Sequence, residues 1–299
     1  MKHKLQDTLQ LATMAGVPIL LTGEAGTGKS ESVVMVAKEL GYTLHSLSVG
    51  EQTTKTDILG FMDATGTYRS TGFRKAFEGG GVFLLDEIDA GNPNVLLAIN
   101  SGISNGFIEF PDTVVHSHET FRLIATANTF GTGAGIKYVG RNKLDLATLN
   151  RFAVLHWTLD EELEAELCTD SQWLRVIHEA RKLASDVDEL MIGMRNTLQG
   201  VKLLDIGLPI ETVFDMVITK GLDEDIAAIL KPAIEKYTQE TVRIGSQVVV
   251  TDPEHKLLGK TGYVSDIHMS GKYEIKVGAT YGLIAEEYLW VIGSVEEVV

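Results

Sequence analysis

Gly23-Glu24-Ala25-Gly26-Thr27-Gly28-Lys29-Ser30 decides how the rest of this 299-residue chain is read. The stretch fits G-x-x-x-x-G-K-[ST], the spacing of a loop that wraps nucleotide phosphates. Val17 to Leu21 before it form an apolar run of buried-strand size. Glu31 to Leu40 after it carry Val33, Val34, Val36, Ala37 and Leu40 at helical spacing. Strand, glycine loop, helix is the context the pattern needs. The glycines let backbone N–H groups turn inward on phosphate without a Cβ clash, and the helix N-terminus adds partial positive charge. Gly23, Gly26, Thr27, Gly28, Lys29 and Ser30 are therefore the candidate nucleotide-binding residues. Lys29 is expected to reach the β- and γ-phosphates, and Ser30 to offer its hydroxyl to Mg2+.

Further out, Val82-Phe83-Leu84-Leu85-Asp86-Glu87-Ile88-Asp89 runs from four apolar residues into acids. This is the pattern of a buried parallel strand delivering carboxylates at its C-terminal edge, where ligands sit in open α/β sheets. Asp86 is the candidate Mg2+ ligand, through water. Glu87 is the candidate that orients or deprotonates the attacking water. Another buried strand, Phe121 to Ala127, ends in Asn128, which either hydrogen-bonds the lytic water or γ-phosphate or closes a turn. A short helix at Leu144 to Leu149 leads through Asn150-Arg151-Phe152 into a last sheet strand, Ala153 to Leu159.

Between these signals lie a first helix over 4–15, a second strand at Tyr42 to Val49, and helices at Phe73 to Glu78 and Asn94 to Ser104. The junction Ala15-Gly16-Val17 is expected near the phosphate loop and against the adenine. Thr53 to Gly72, rich in Thr and Gly around Phe61, Met62 and Tyr68, reads as an insertion. Gly106 to His118 reads as a hairpin whose His116 and His118 are solvated rather than ligands. Thr129 to Gly140, with Gly131, Gly133, Gly135 and Gly140, reads as a flexible loop before Arg141.

From Asp160 to about Tyr237 the period turns helical, with helices near 160–168, 171–185, 194–205, 210–219 and 223–237. Beyond it, Gln247 to Thr251, Gly262 to Ile267, Tyr273 to Val277, Tyr281 to Ile284 and Glu287 to Ile292 read as short strands. The expected domains are 1–159 (α/β), 160–238 (helical) and 241–299 (a small all-β barrel). The formal net charge of −15 disfavours a surface that coats nucleic acid, although it allows a local basic groove. Cys168 stands alone, so it forms no internal disulfide; it suits a reducing compartment and a small buried apolar role. Met1 to Gln10 has no signal-peptide apolar region and no run approaches a membrane span, so the expectation is a soluble, cytoplasmic protein without a membrane partner.

Gly23–Ser30, Val82–Asp89, Asn128, Asn150-Arg151-Phe152 and the later helical Arg195 together resemble the AAA+ ATPases over residues 1–237. More narrowly they resemble the MoxR type, which includes the cobaltochelatase small subunit and related phage-encoded ATPases. The resemblance implies an α/β fold, a P-loop NTPase parallel sheet with a helical lid domain, and ATP and Mg2+ as cofactors. It implies a catalytic set of Glu87, Asn128 as first sensor, Arg151 as an arginine finger on the neighbouring subunit's γ-phosphate, and Arg195 as second sensor. Arg141 is a further candidate for contact across subunits. It also implies a homo-oligomeric ring, a hexamer, and an insertion at Thr53 to Gly72 whose Phe61 or Tyr68 either grips a client or packs under the loop. Leu258-Gly259-Lys260-Thr261-Gly262-Tyr263-Val264 resembles KOW/SH3-like barrels. Residues 241–299 hold five Lys/Arg against eight Asp/Glu, which favours a protein contact over nucleic acid. The expected function is a ring-forming ATPase that couples ATP hydrolysis to remodelling of a protein client. The alternative is a nucleic-acid-associated AAA+ motor. A metal-chelatase role needs a partner subunit.

Overall fold

The structure, a computed structural model, describes residues 2–130, 132–134, 138, 140–185, 187, 190–238, 244–252, 255–268, 272–285 and 288–294. The chain divides into two compact units, Met1–Gly207 and Leu208–Val299.

In the first unit the elements run α1 (Gln6–Met14), β1 (Ile19–Thr22), α2 (Lys29–Glu39), β2 (Leu44–Ser48), α3 (Lys55–Leu59), β3 (Phe61–Met62), β4 (Tyr68–Arg69), α4 (Gly72–Gly79), β5 (Gly81–Asp86), α5 (Pro93–Asn105), β6 (Phe107–Glu109), β7 (Val114–His116), β8 (Phe121–Ala127), α6 (Leu146–Leu149), β9 (Ala153–His156), α7 (Glu161–Leu167), α8 (Ser171–Ala184) and α9 (Met194–Asp205). Five strands form one parallel sheet in the order β2-β5-β8-β1-β9. Side chains that alternate along each strand feed two cores. Leu20, Phe83, Leu85, Leu123 and Ala125 pack with Phe73, Phe77, Leu96 and Ile99 of α4 and α5. Ile19, Leu21, Val82, Leu84 and Ile124 pack with Leu9, Val33 and Val36 of α1 and α2. Both faces are covered, which explains why β5 and β8 read as near-continuous apolar runs. Each fully buried large side chain contributes about 1.5–3 kcal/mol. The sheet is thus an α/β, P-loop NTPase arrangement, as the glycine loop and acidic strand predict.

Register sets the site. Thr22 of β1 lies level with Ala127 of β8 and His156 of β9, so Gly23 and Asn128 leave the same edge together. Leu85 is level with Ala125, which brings Asp86 beside Thr126.

Several expectations are corrected. The junction Ala15-Gly16-Val17 precedes β1, whose far end carries the phosphate loop; a Cβ on Gly16 would instead face Arg122 at 3.6 Å. The expected adenine contact there fails because four strand residues separate the two ends of β1. β9 stops at His156 rather than Leu159: Trp157 N–H still donates to Thr22 O at 2.6 Å, after which the chain turns to Asp160, the N-cap of α7. Thr53 to Gly72, read as an insertion, is ordered. It holds α3, closed by a Thr54–Asp57 capping box, and the β3–β4 hairpin. Tyr68 packs against the core and its hydroxyl donates to Leu59 O at 2.6 Å, while Phe61 is exposed. Gly131 and Gly135 of the expected flexible loop lie outside the described residues.

In the second unit, α10 (Ile210–Phe214) runs into a π-helical turn (Asp215–Thr219), so the expected helix over 210–219 changes its winding midway. α11 (Glu224–Thr238) follows. β10 (Ser246–Val250), β11 (Thr261–Ile267), β12 (Tyr273–Val277), β13 (Thr280–Ile284) and β14 (Leu289–Ser294) form an antiparallel sheet in the order β13-β12-β11-β10-β14. Val248, Val250, Leu257, Val264, Ile275 and Ile284 are its core. Glu287, placed by the sequence in the last strand, lies outside the described residues. Among the described residues no helix is long and apolar enough to cross a membrane.

Candidate nucleotide site

The loop after β1 is built for close approach. A Cβ on Gly23 would sit 1.9 Å from Trp157 O, so only glycine lets the chain turn beneath the exit of β9. Gly28, the N-cap of α2, takes φ 85°, the left-handed region that glycine occupies without strain. Inside this turn Lys29 is 7% exposed, and its ammonium donates to Gly23 O at 2.7 Å, Glu24 O at 2.8 Å and Asn128 Oδ1 at 3.0 Å. Burial pulls its pKa down to about 8, against the opposing pull of Asp86, Asp89 and Glu87.

Ser30 Oγ donates to Asp86 Oδ1 at 2.8 Å, and Thr126 Oγ1 donates to the same oxygen. Glu87 has φ 58°, and its backbone N–H is held by Thr126 Oγ1 at 2.9 Å. A non-glycine residue in this region is strained, and such strain gathers at functional sites. Lys29, Ser30, Asp86, Glu87 and Asn128 are therefore brought together at one sheet edge.

The sequence reading missed three supports. Asp89 is fully buried; its Oδ2 accepts from Asn128 N at 3.1 Å, Thr129 N at 2.8 Å and Thr129 Oγ1 at 2.9 Å. The acidic run pointed to this carboxylate, but nothing in spacing linked it to Asn128. His3 stacks on Trp157 with ring centroids 4.0 Å apart. Burial pushes the imidazole below its ordinary value, and Nε2 donates to Thr158 O at 2.9 Å. Finally, α7, α8 and α9 are tied by Glu164. It is fully buried and accepts from Arg181 at 2.8 and 3.0 Å and from Thr197 Oγ1.

The start of α9 leans on the phosphate loop: a Cβ on Gly193 would lie 3.0 Å from Ala25 O, and one on Gly26 3.3 Å from Arg195 Cβ. A cavity of about 800 Å³ results, lined by the loop, Asp86, Glu87 and Asn128 on one side. Leu163, Leu167, Met194, Arg195 and Leu198 line the other. Its volume lies within the range of small-molecule and cofactor sites.

Arg151 is not in this cavity. It precedes β9, whose Ala153 is level with Ile19 at the opposite edge of the sheet. There its Nε donates to Ser104 Oγ at 2.9 Å and its NH1 to Ala147 O. At about 3.3 Å of rise per residue, the two edges stand about 10 Å apart before any loop is added. Arg141 touches residues of its own chain, Glu87 and Asp89. His118 Nδ1 shares a hydrogen bond with Thr120 Oγ1 at 2.9 Å, and His116 packs on Phe107. Buried Cys168 lies 3.1 Å from Asp170 O through its sulfur.

Residues 18–152 match the family model of the AAA domain (dynein-related subfamily). The chain is 34% identical to midasin of Giardia intestinalis over 145 residues, which is 45% of this chain and 3% of that one. It is 30% identical to the aerobic cobaltochelatase subunit CobS of a Sinorhizobium species over 162 residues, 48% of each. The chain thus spans less than half the length of these curated relatives. The solved structure of NtrX from Brucella abortus superposes with a TM-score of 0.51 at 13% identity, covering 79% of this chain and 60% of that one, a likeness of fold alone. The match, the sheet order and the phosphate loop together support a P-loop NTPase domain of the AAA type over residues 18–152.

Proposed function

We propose that the chain is a ring-forming ATPase of the MoxR type that couples ATP hydrolysis to remodelling of a protein client in the cytoplasm. The carrying observation is the separation of charges: the phosphate loop, Asp86, Glu87 and Asn128 share one edge of the sheet, whereas Arg151 sits at the other. An arginine there cannot complete its own site, and it suits the site of a neighbouring copy.

In this reading Gly23, Gly26, Thr27 and Gly28 turn backbone N–H groups on the phosphates, and Lys29 leaves the loop carbonyls for the β- and γ-oxygens. Ser30 and Asp86 present hard oxygen donors within 2.8 Å of each other, the donor chemistry that Mg2+ accepts alongside water and phosphate oxygens. Mg2+ when bound neutralises developing charge on the phosphates. Leu163, Leu167, Met194 and Leu198 suit the base. Glu87 takes a proton from the attacking water, Asn128 orients that water or the γ-phosphate, and Arg195 reports the nucleotide to the helical lid. Arg151 of the adjacent copy stabilises charge on the transferring phosphoryl group, a role worth about 10³–10⁵ in rate. The partition into an α/β domain over 1–159, a helical lid over 160–238 and a barrel over 241–299 belongs to the same proposal. The order of the antiparallel sheet supports an SH3-like barrel for the last part.

Mixing tests the seam. Arg151→Ala and Lys29→Ala should each abolish turnover, and a mixture should recover part of it, because one variant keeps an intact loop and the other an intact arginine. No recovery from variants shown to co-assemble would rule out a shared site. Stimulation by DNA or RNA at fixed salt, with none by proteins, would favour the nucleic-acid motor.

A further inference from the structure

One ion-paired side chain on the nucleotide face has no role in the catalytic set above. Arg141 is 14% exposed. Its NH1 lies 3.1 Å from Asp89 Oδ1, and NH1 and NH2 both lie 3.4 Å from Glu87 Oε2. Its attachment is fixed by the next residue: Asn142 N–H donates to Asp89 O at 2.7 Å, and the Asn142 side-chain amide to Gly91 O at 3.0 Å. A little earlier, Tyr138 OH accepts from Ala25 N–H of the phosphate loop at 3.1 Å and donates to Met191 Sδ at 3.1 Å. This segment therefore grips the acidic strand end, the loop and the approach to α9.

We infer that Arg141 is a positioning residue that latches Glu87 in the nucleotide-free chain and lets it go when a γ-phosphate competes for the guanidinium. The inference rests on the ATP reading above. The two carboxylates are not equal partners. Asp89 is fully buried, closer to Arg141 and saturated by backbone donors, so it anchors the arginine. Glu87 is 45% exposed and more distant, so its half of the contact is the exchangeable one. The backbone of Glu87 is fixed by Thr126, which leaves its carboxylate to swing. The two N–H donors that face Oε2 at 3.4 Å compete there with a water. Arg141 also lies within electrostatic reach of Lys29, and hence of the phosphates Lys29 would bind. A γ-phosphate carries more charge than one carboxylate and draws the guanidinium away. ADP has no γ-phosphate, and its β-phosphate ends one position short. Binding of ATP and release of Glu87 are then two sides of one linkage.

The test compares affinities of the full chain for ADP and for a non-hydrolysable ATP analogue, both with Mg2+, by displacement of a fluorescent nucleotide. Glu87→Gln weakens the latch and should raise the preference for the ATP analogue over ADP about threefold, the scale of a half-exposed ion pair. Arg141→Gln should lower that preference by a similar factor and erase the effect of adding Glu87→Gln; Arg141→Lys should restore part of it. An unchanged preference in Glu87→Gln overturns the latch, as does the same Glu87→Gln effect with and without Arg141. If melting shows that the Arg141 variants do not fold, Glu87→Gln alone decides. Failure of the wild-type chain to bind either nucleotide would overturn the ATP reading, and the latch with it.

Discussion

Arg181→Met is the most informative single change in the helical part of the first unit. Glu164 is fully buried, and Arg181 supplies two of its hydrogen bonds at 2.8 and 3.0 Å while its Nε donates to Ile192 O at 2.9 Å. Methionine keeps much of the volume but leaves the carboxylate with only Thr197 Oγ1 and, at 3.5 Å, His178 Nε2. Removing one partner of a buried ion pair costs about 3–5 kcal/mol. For a unit of about 200 residues, that lowers the melting temperature by about 6–20 °C. The pH dependence identifies the cause. In the native chain burial pushes Glu164 up, but Arg181 and Thr197, with a smaller pull from His178, hold it below the ordinary glutamate value. Its contribution is therefore full above that ordinary value and is lost as pH falls through the depressed one. In the variant, burial acts with one fewer opponent, so Glu164 binds a proton more readily. The deficit should be widest near pH 7 and narrow toward pH 5. Adding Glu164→Gln should recover most of the loss, because the amide still accepts from Thr197 and carries no charge. Melting curves of the native chain, Arg181→Met and the double variant across pH 5–8 give the result. A deficit independent of pH, or no recovery in the double variant, would refute the reasoning.

Gly200→Ala should cost about 1–3 kcal/mol by overpacking, since its Cβ would fall 2.1 Å from Trp173 Cε2, and a melting curve checks it. Lys29 should give nucleotide affinity an alkaline limb. Its pKa is about 8, so above that pH a proton must be taken up on binding. Affinity for ATP should then fall by up to about tenfold per pH unit. Titration calorimetry in buffers of different ionisation enthalpy should detect the proton, and an affinity flat from pH 7 to 9.5 would count against it. The same depressed value means that burial of Lys29 destabilises the fold below pH 8 and that this cost fades as pH rises toward 10.5.

The cluster at the sheet edge was legible because its signals are local. Gly23 to Ser30 and Val82 to Asp89 each combine a strand's apolar run with the groups that run delivers, and parallel register brings their ends together. Asn128 was legible for the same reason. What escaped were contacts between distant positions. Glu164 and Arg181 lie on different helices, and nothing in their spacing sets them apart from solvated charges. Arg141 looked like a cation free to reach another copy; a buried Asp89 holds it home. The misplaced adenine contact at Ala15-Gly16-Val17 came from nearness in sequence, which a strand converts into distance. Thr53 to Gly72 read as an insertion with no elements assigned to it, and a Thr54–Asp57 capping box and Tyr68 packing order it.

Specific ATPase activity measured against protein concentration, with mass determined in the same samples, tests the central claim most directly. A site completed by Arg151 of another copy predicts activity per chain that rises with assembly and vanishes in dilute monomer. Constant activity per chain down to concentrations where only monomer is present would contradict it.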